Sequence, residues 1–293
     1  MPSQEHEAFV AMIAASDALE APTIEEQRQG YEDMLAKFPV ADDITIDAFE
    51  IEHIAADWVT APGADADRVV LYFHGGGYVI GSNVGYREFA SRVSRTTGAR
   101  VCVINYRLAP ENPFPAAVDD ATMAYRWLLN EGVAANQITI AGDSAGGGLT
   151  LATLLALKDA GDPLPACGVC FSPWTDLEGT GDSAKPGAVD DPLIPDGGLA
   201  DMSSAYAPND LRNPLASPLH GDYVGMPPLL IQVGTREVLL DDAVRVAEKA
   251  EAAGVDVTLS IGEGLVHVYQ VFAVPESQEA LDEMAAFMSE RVA

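Results

Sequence analysis

Two short segments carry residue types that could do nucleophilic chemistry. Gly142-Asp143-Ser144-Ala145-Gly146 is a G-x-S-x-G that follows an apolar run and opens a helical one. A serine hydroxyl becomes accessible when it projects from a sharp strand-to-helix turn, and small flanking residues let the backbone make that turn. The helix start also aims backbone N–H groups at a developing oxyanion. His74-Gly75-Gly76-Gly77 directly follows the apolar run Val69 to Phe73. A glycine-rich turn after a strand can instead cradle phosphate. A dinucleotide loop needs G-x-G-x-x-G, and counted from Gly75 the last position is Ile80. A P-loop needs Lys after its final Gly, and counted from Gly142 that place is Gly148. Both nucleotide readings fail, which leaves an oxyanion hole as the use for exposed glycine N–H groups.

A serine nucleophile needs a base and an acid that orients the base. The histidines are His6, His53, His74, His220 and His267. His6 lies in the terminal arm, His53 in an early strand, His74 in the glycine turn and His220 in an irregular stretch. His267 follows a last strand read as Val255 to Ile261, in a loop containing Gly262 and Gly264, which suits a catalytic loop at the carboxyl edge of a sheet. The acid belongs between serine and histidine in chain order. Glu237 sits where the strand Leu229 to Val233 gives way to a loop, and Asp241 and Asp242 follow where a helix should start. Acids are favoured at a helix start by its dipole, so capping is the plain reading of the two aspartates. For Glu237 the plain reading is an ion pair with Arg236, although adjacent side chains seldom face each other. Glu237 is preferred as the acid, then Asp241, then Asp242.

These groups must be carried by a frame. Apolar runs at Val69–Phe73, Val101–Ile104, Ile138–Ala141, Gly168–Phe171, Leu229–Val233 and Val255–Ile261 alternate with helical stretches such as Ala116–Leu129, Gly146–Ala160 and Asp242–Ala253. Short buried strands alternating with helices predict an α/β fold, a mostly parallel central sheet flanked by helices. Alternation from Ile44 to Val59 predicts antiparallel strands with one wet side. Ahead of them, Phe9, Met12 and Ile13 give one helix an apolar side, and Thr23 with Glu26 forms a capping box for a second, which Pro39 ends. This pair is an interaction arm or a lid. Residues 178–223, rich in Pro, Gly, Asp and Ser, are too long for a simple loop and should hold short helices near the ligand side.

Composition narrows the partners. The 293 residues suit one elaborated domain with a small lid. The formal net charge of −29 repels phosphate backbones and anionic membranes, so no nucleic acid is expected. Three cysteines make no disulfide framework, and Cys167 and Cys170 read as buried strand thiols. The early apolar run from Phe9 to Ala15 is short and ends in Ser16 and Asp17, so neither a signal peptide nor a membrane span is expected and the location is cytoplasmic.

With Asn105-Tyr106-Arg107-Leu108-Ala109-Pro110-Glu111 between them, the two glycine motifs make the chain resemble the bacterial hormone-sensitive-lipase family of esterases, which have the α/β-hydrolase fold. The resemblance covers residue 45 onward well and the lid loosely. It implies residues 1–45 as N-terminal cap helices and 46–293 as the catalytic domain, with a cap contribution from about 178–223. It implies Ser144 as nucleophile, His267 as base, and the N–H groups of Gly75, Gly76 and Ala145 as the oxyanion hole. The family's Asp-Pro-Leu stretch is matched by Glu237-Val238-Leu239, which sets Glu237 at the acid position. The implied activity is a serine carboxylesterase for short- to medium-chain acyl esters, with a small-molecule ester as substrate, no metal or organic cofactor, and a homodimer through an edge strand. An amidase or formamidase would use the same triad. The plant gibberellin receptor looks like this family but lacks the catalytic histidine, so His267 argues against a non-catalytic receptor. Asp143 should tie neighbouring loops, Arg107 and Glu111 should share an internal network, and Trp174 and Asp176 should line the pocket or, as preferred, pack or support a loop.

Of the 16 basic residues 12 are Arg and 4 are Lys, a bias that a saline habitat and a GC-rich genome both produce. Mutual repulsion of 45 acids should be relieved by screening, so the melting temperature should rise between about 0.05 and 1 M NaCl. A flat or falling melting curve would remove the saline reading.

Overall fold

The structure, a computed structural model, describes residues 2–14, 23–195 and 197–292. Ala15, Ser16 and Asp17 at the end of the early apolar run, like residues 18–22 of the expected cap, lie outside the described residues. In chain order the elements are α1 (Gln4–Ala14), α2 (Ile24–Leu35), β1 (Thr45–Ile51), β2 (Ile54–Thr60), β3 (Asp65–Phe73), α3 (Arg87–Thr97) and β4 (Ala99–Ile104). There follow α4 (Ala116–Asn130), β5 (Ile138–Asp143), α5 (Ala145–Ala160), β6 (Cys167–Phe171), α6 (Gly198–Tyr206), β7 (Leu229–Arg236), α7 (Leu240–Ala252), β8 (Val257–Val266) and α8 (Pro275–Ser289).

The strands form one sheet in the order β1-β2-β4-β3-β5-β6-β7-β8. The β1–β2 hairpin is antiparallel and joins β4 antiparallel, while every pair from β4 through β3 to β8 is parallel. Side chains alternate across a strand, and here both faces are covered. Val69, Leu71 and Phe73 of β3 join the core beneath α4, α5 and α7. Val70 and Tyr72 join the opposite core, built with Phe89 and Val93 of α3 and Leu281 and Met284 of α8.

The frame follows the sequence pattern with a few shifts that matter for the site. The last strand does not stop at Ile261 but runs to Val266. Its neighbour β7 extends to Arg236, which pairs with Val266 across a register shift. Gly264 lies at φ +77 within this strand, and its N–H donates to Thr235 Oγ1 at 2.8 Å. Gly262 and Gly264 therefore shape an irregular strand, because the adjacent strand supplies partners that a loop would lack. His267 follows the strand at once. His53 occupies the turn of the β1–β2 hairpin rather than a strand, with Nε2 3.0 Å from Asp120.

Thr23 and Glu26 form the expected capping box on α2. On α1 the buried side is Phe9 and Val10, and Met12 is exposed; Phe9 packs on Phe272 with ring centroids 4.1 Å apart. Residues 178–223 hold α6 and a 3-10 turn at Pro218–His220. Arg107 and Glu111 do not share a network. Arg107 binds buried Asp120, one turn into α4, while Glu111 pairs with Arg28 of α2.

Candidate active site

The carboxyl ends of the parallel strands converge, as expected of an open α/β sheet. β5 ends at Asp143 and α5 begins at Ala145, so Ser144 is the turn itself, at φ 53 and ψ −119. That strained conformation is held from three sides. Ser144 N–H donates to Phe171 O at 2.8 Å, and Ser144 O accepts from Gly148 N at 3.0 Å and Trp174 N at 2.9 Å. A Cβ on Gly146 would stand 2.0 Å from Phe73 O, and one on Gly142 would stand 2.3 Å from Gly146 O. Only glycine allows this contact between the end of β3 and the start of α5.

His267 presents Nε2 to Ser144 Oγ at 3.0 Å and Nδ1 to Glu237 Oε2 at 2.9 Å. All three residues are buried. Burial alone would lower the His267 pKa, but the hydrogen bond and charge of Glu237 outweigh it, and the net direction is upward from 6.5. The other Glu237 oxygen accepts from Ser172 Oγ at 2.9 Å and from Gly234 N–H. Ser172 Oγ in turn accepts from Val268 N at 3.1 Å. This serine thus ties the carboxylate to the backbone just past the histidine. It escaped the sequence reading; its one signal is its place directly after β6, at the sheet edge where sites form.

Asp241 and Asp242 make no bond to His267; both lie in the first turn of α7, as expected of acids at a helix start, but neither gives it a side-chain cap bond. Asp241 accepts from Ser183 N at 3.0 Å, and Asp242 accepts from Thr175 N and Asp176 N, both at 2.8 Å. They hold the loop after β6 against the helix, with Asp242 pushed up to about 7 by burial. Arg236 pairs with Asp190 and leaves Glu237 to His267. Asp176, Glu178 and His220 bring ligand-type atoms within 4.8 Å of one another, but Asp176 already binds Thr180 and Arg245. Trp174 is buried in the core beneath α5.

The glycine turn differs from expectation at one residue. Gly75 N–H is taken by Asp143 Oδ1 at 3.0 Å and Tyr86 Oη at 3.1 Å, and Gly75 does not border the cavity. Gly76 at φ +113 and Gly77 at φ +60 bend the chain so that these two line the cavity beside Ser144 and His267. Among the described residues no protein acceptor takes either N–H. The Gly76 and Gly77 N–H groups are therefore open beside Ser144, the Gly75 N–H is committed to Asp143 and Tyr86, and Ala145 opens α5 directly after Ser144. Asp143, which accepts from Tyr72 Oη at 2.7 Å and Tyr86 Oη at 2.8 Å, ties the loops as expected. Its pKa is pushed up to about 6 by burial, against those hydrogen bonds. His74 points elsewhere: it stacks on Tyr106 at 4.3 Å, and burial lowers its pKa to about 4.

Above Ser144 lies a cavity of about 430 Å³, walled mainly by apolar atoms. Tyr31 and Met34 of α2, Leu199 and Met202 of α6, and Phe272 supply much of its wall. The size and character are those of a small-molecule site. Among the described residues no helix is long and apolar enough to cross a membrane.

The fold and the serine turn define an α/β hydrolase, and residues 70–271 match the family model described as the alpha/beta hydrolase fold. An acetyl-hydrolase of Streptomyces hygroscopicus is 44% identical over 245 residues, 83% of this chain and 82% of that protein. A crystal structure of an esterase from the bacterial hormone-sensitive lipase family superposes with a TM-score of 0.96 at 44% identity, over 100% of both chains. EstE5, crystallised and soaked with p-nitrophenyl butyrate, superposes with a TM-score of 0.94 at 41% identity, over 98% of both chains. The chain belongs to the bacterial hormone-sensitive-lipase family of α/β hydrolases.

The raised His267 pKa has a kinetic consequence. A base must be neutral to accept a proton, so with His267 in its expected role kcat/KM should fall as pH drops through a value above 6.5. Glu237→Gln removes the group that raises the pKa and should move this acid limb to lower pH. An acid limb that stays in place in Glu237→Gln would separate Glu237 from the titrating base.

Proposed function

We propose that this protein is a serine carboxylesterase that cleaves short- to medium-chain acyl esters through an acyl-enzyme on Ser144. The observation that carries the reading is the hydrogen-bonded line Ser144–His267–Glu237 at the base of an apolar cavity. Ser144 Oγ attacks the ester carbonyl carbon as His267 Nε2 takes its proton. Glu237 holds the imidazole in the tautomer that leaves Nε2 free, and stabilises the imidazolium. The carbonyl oxygen becomes an oxyanion bound by the N–H groups of Gly76, Gly77 and Ala145. One such donor is worth about 3–4 kcal/mol in the barrier. The C–O bond to the alcohol then breaks, and His267 returns its proton to the leaving oxygen. Water, deprotonated by the same imidazole, adds to the acyl carbon and releases the acid and free Ser144.

The cap belongs to the same proposal. In this reading the N-terminal helices and parts of 178–223 act as a cap that limits the acyl chain, supported by Ile13 of α1, Tyr31 and Met34 of α2 and Leu199 and Met202 of α6 in the pocket wall. The substrate class also rests on the relatives' names, an acetyl-hydrolase and an esterase soaked with a butyrate ester. The three free, buried cysteines support a cytoplasmic location, and the position of β8 at the sheet edge supports a homodimer. Cell fractionation that places it elsewhere, or light scattering that gives the monomer mass of 30.9 kDa, would remove these two points respectively.

Hydrolysis of p-nitrophenyl esters from acetyl to dodecanoyl, beside matched amides, tests the activity. Rates should peak at short chains and exceed those on the amides, and Ser144→Ala should lose about 10⁴-fold or more. Glu237→Gln should lose about 10⁴-fold, and Asp241→Asn about twofold or less. Activity surviving in Ser144→Ala would reject the nucleophile, and faster amide cleavage would move the protein to the amidases.

A further inference from the structure

Helix α2 touches the glycine turn on both sides of the two residues that face Ser144. On the far side, Arg28 Nε donates to Val79 O at 2.9 Å, and Val79 N itself donates to Gly76 O at 3.0 Å. The same guanidinium donates to Ala109 O at 3.0 Å and forks onto Glu111. On the near side, Tyr31 Oη lies 2.8 Å from Tyr86 Oη. Tyr86 gives its own hydrogen to Asp143 Oδ2 at 2.8 Å, so Tyr31 is the donor in that pair. Tyr86 Oη then accepts from Gly75 N–H, the peptide before Gly76. Arg28 and Tyr31 are three residues apart, on one side of the helix. α2 is seated closely: a Cβ on Gly85 would stand 2.9 Å from Leu35 Cδ1.

We propose that α2 is a positioning element for the oxyanion hole, with Arg28 and Tyr31 as two grips that set the Gly76 and Gly77 N–H groups against Ser144. The inference rests on the esterase reading above and adds residues that never touch the reacting atoms. Oxyanion donors act through preorganisation; Arg28 ends on backbone carbonyls of the turn and its support, and Tyr31 reaches the Gly75 N–H through the Tyr86 hydroxyl. Tyr31 also borders the cavity, so the wall that meets the substrate and the turn that holds its oxyanion are joined through one side chain.

Tyr31→Phe keeps the ring in the wall and removes only the hydroxyl. With p-nitrophenyl butyrate, kcat should fall about tenfold while KM stays within about twofold. Binding of an alkyl trifluoromethyl ketone, which forms a tetrahedral oxyanion on the serine, should weaken by about the same tenfold factor. Arg28→Lys, whose compact ammonium lacks the planar fork that spans Val79 O, Ala109 O and Glu111, should give the same split. Glu111→Gln, which leaves both carbonyl bonds intact, should stay within about twofold of wild type. Unchanged kcat with raised KM in Tyr31→Phe would reduce it to a wall residue and overturn the proposal. So would unchanged ketone binding, or Glu111→Gln as damaging as Arg28→Lys, which would point to cap docking alone. If Tyr31→Phe does not fold, as judged by its melting transition, Arg28→Lys beside Glu111→Gln decides. Wild type inactive on every ester would overturn the esterase reading and this inference together; an active wild type with indifferent variants would overturn the inference alone.

Discussion

The site depends on one close backbone contact, the start of α5 against the end of β3. The Gly146 Cα lies so near Phe73 O and His74 O that a side chain would reach 2.0 Å and 2.6 Å from them. β3 and β5 are parallel neighbours in register, Phe73 opposite Gly142, so their carboxyl ends leave the sheet side by side. The serine turn and the glycine turn are therefore adjacent by construction. A helix N-terminus and two outward-facing glycine peptides then converge on one point, which is the preorganisation that acyl transfer needs.

Around that contact a buried anion organises the polar groups. Asp143 is fully buried and accepts from two tyrosine hydroxyls and the Gly75 N–H. A buried carboxylate is costly unless its oxygens are filled, and filling them here draws in β3, the glycine turn and the start of α3. Gly75 N–H is used up in doing so, which is why the turn offers its next two peptides to the cavity. On the opposite side Glu237 has the same need, met by Gly234, Ser172 and His267. A glutamate carries one methylene more than the aspartate usual in this family, and the strand ends of β6 and β7 give its carboxylate fixed partners.

Helices α2 and α6 are part of this arrangement. α2 reaches the glycine turn with polar side chains and the cavity with apolar ones, while α6 closes the other wall. At Gly77, held at φ +60, Met202 of α6 comes in close, and a Cβ 2.1 Å from its sulfur would force that side chain to move. The glycine that turns the backbone is thus also the place where the wall comes down.

The sequence by itself determined the alternating α/β frame, the serine turn, the histidine and the capping box at Thr23. Each is written in contiguous residues or in a local period, and short-range sterics and hydrophobic alternation read such patterns directly. Glu237 was legible through chain order and position, with two aspartates close behind it. Tertiary structure alone decided which glycine N–H groups face the cavity, that Asp241 and Asp242 hold a loop, that Ser172 binds Glu237, and that β8 runs on through Gly262 and Gly264 to His267. It also separated Arg107 from Glu111, one to Asp120 and the other to Arg28. These outcomes rest on hydrogen bonds between residues tens of positions apart, as with Ser172 and Glu237 or Arg28 and Val79. Such pairs leave no spacing in the chain, because a buried polar group takes whatever partner the packed elements bring within reach.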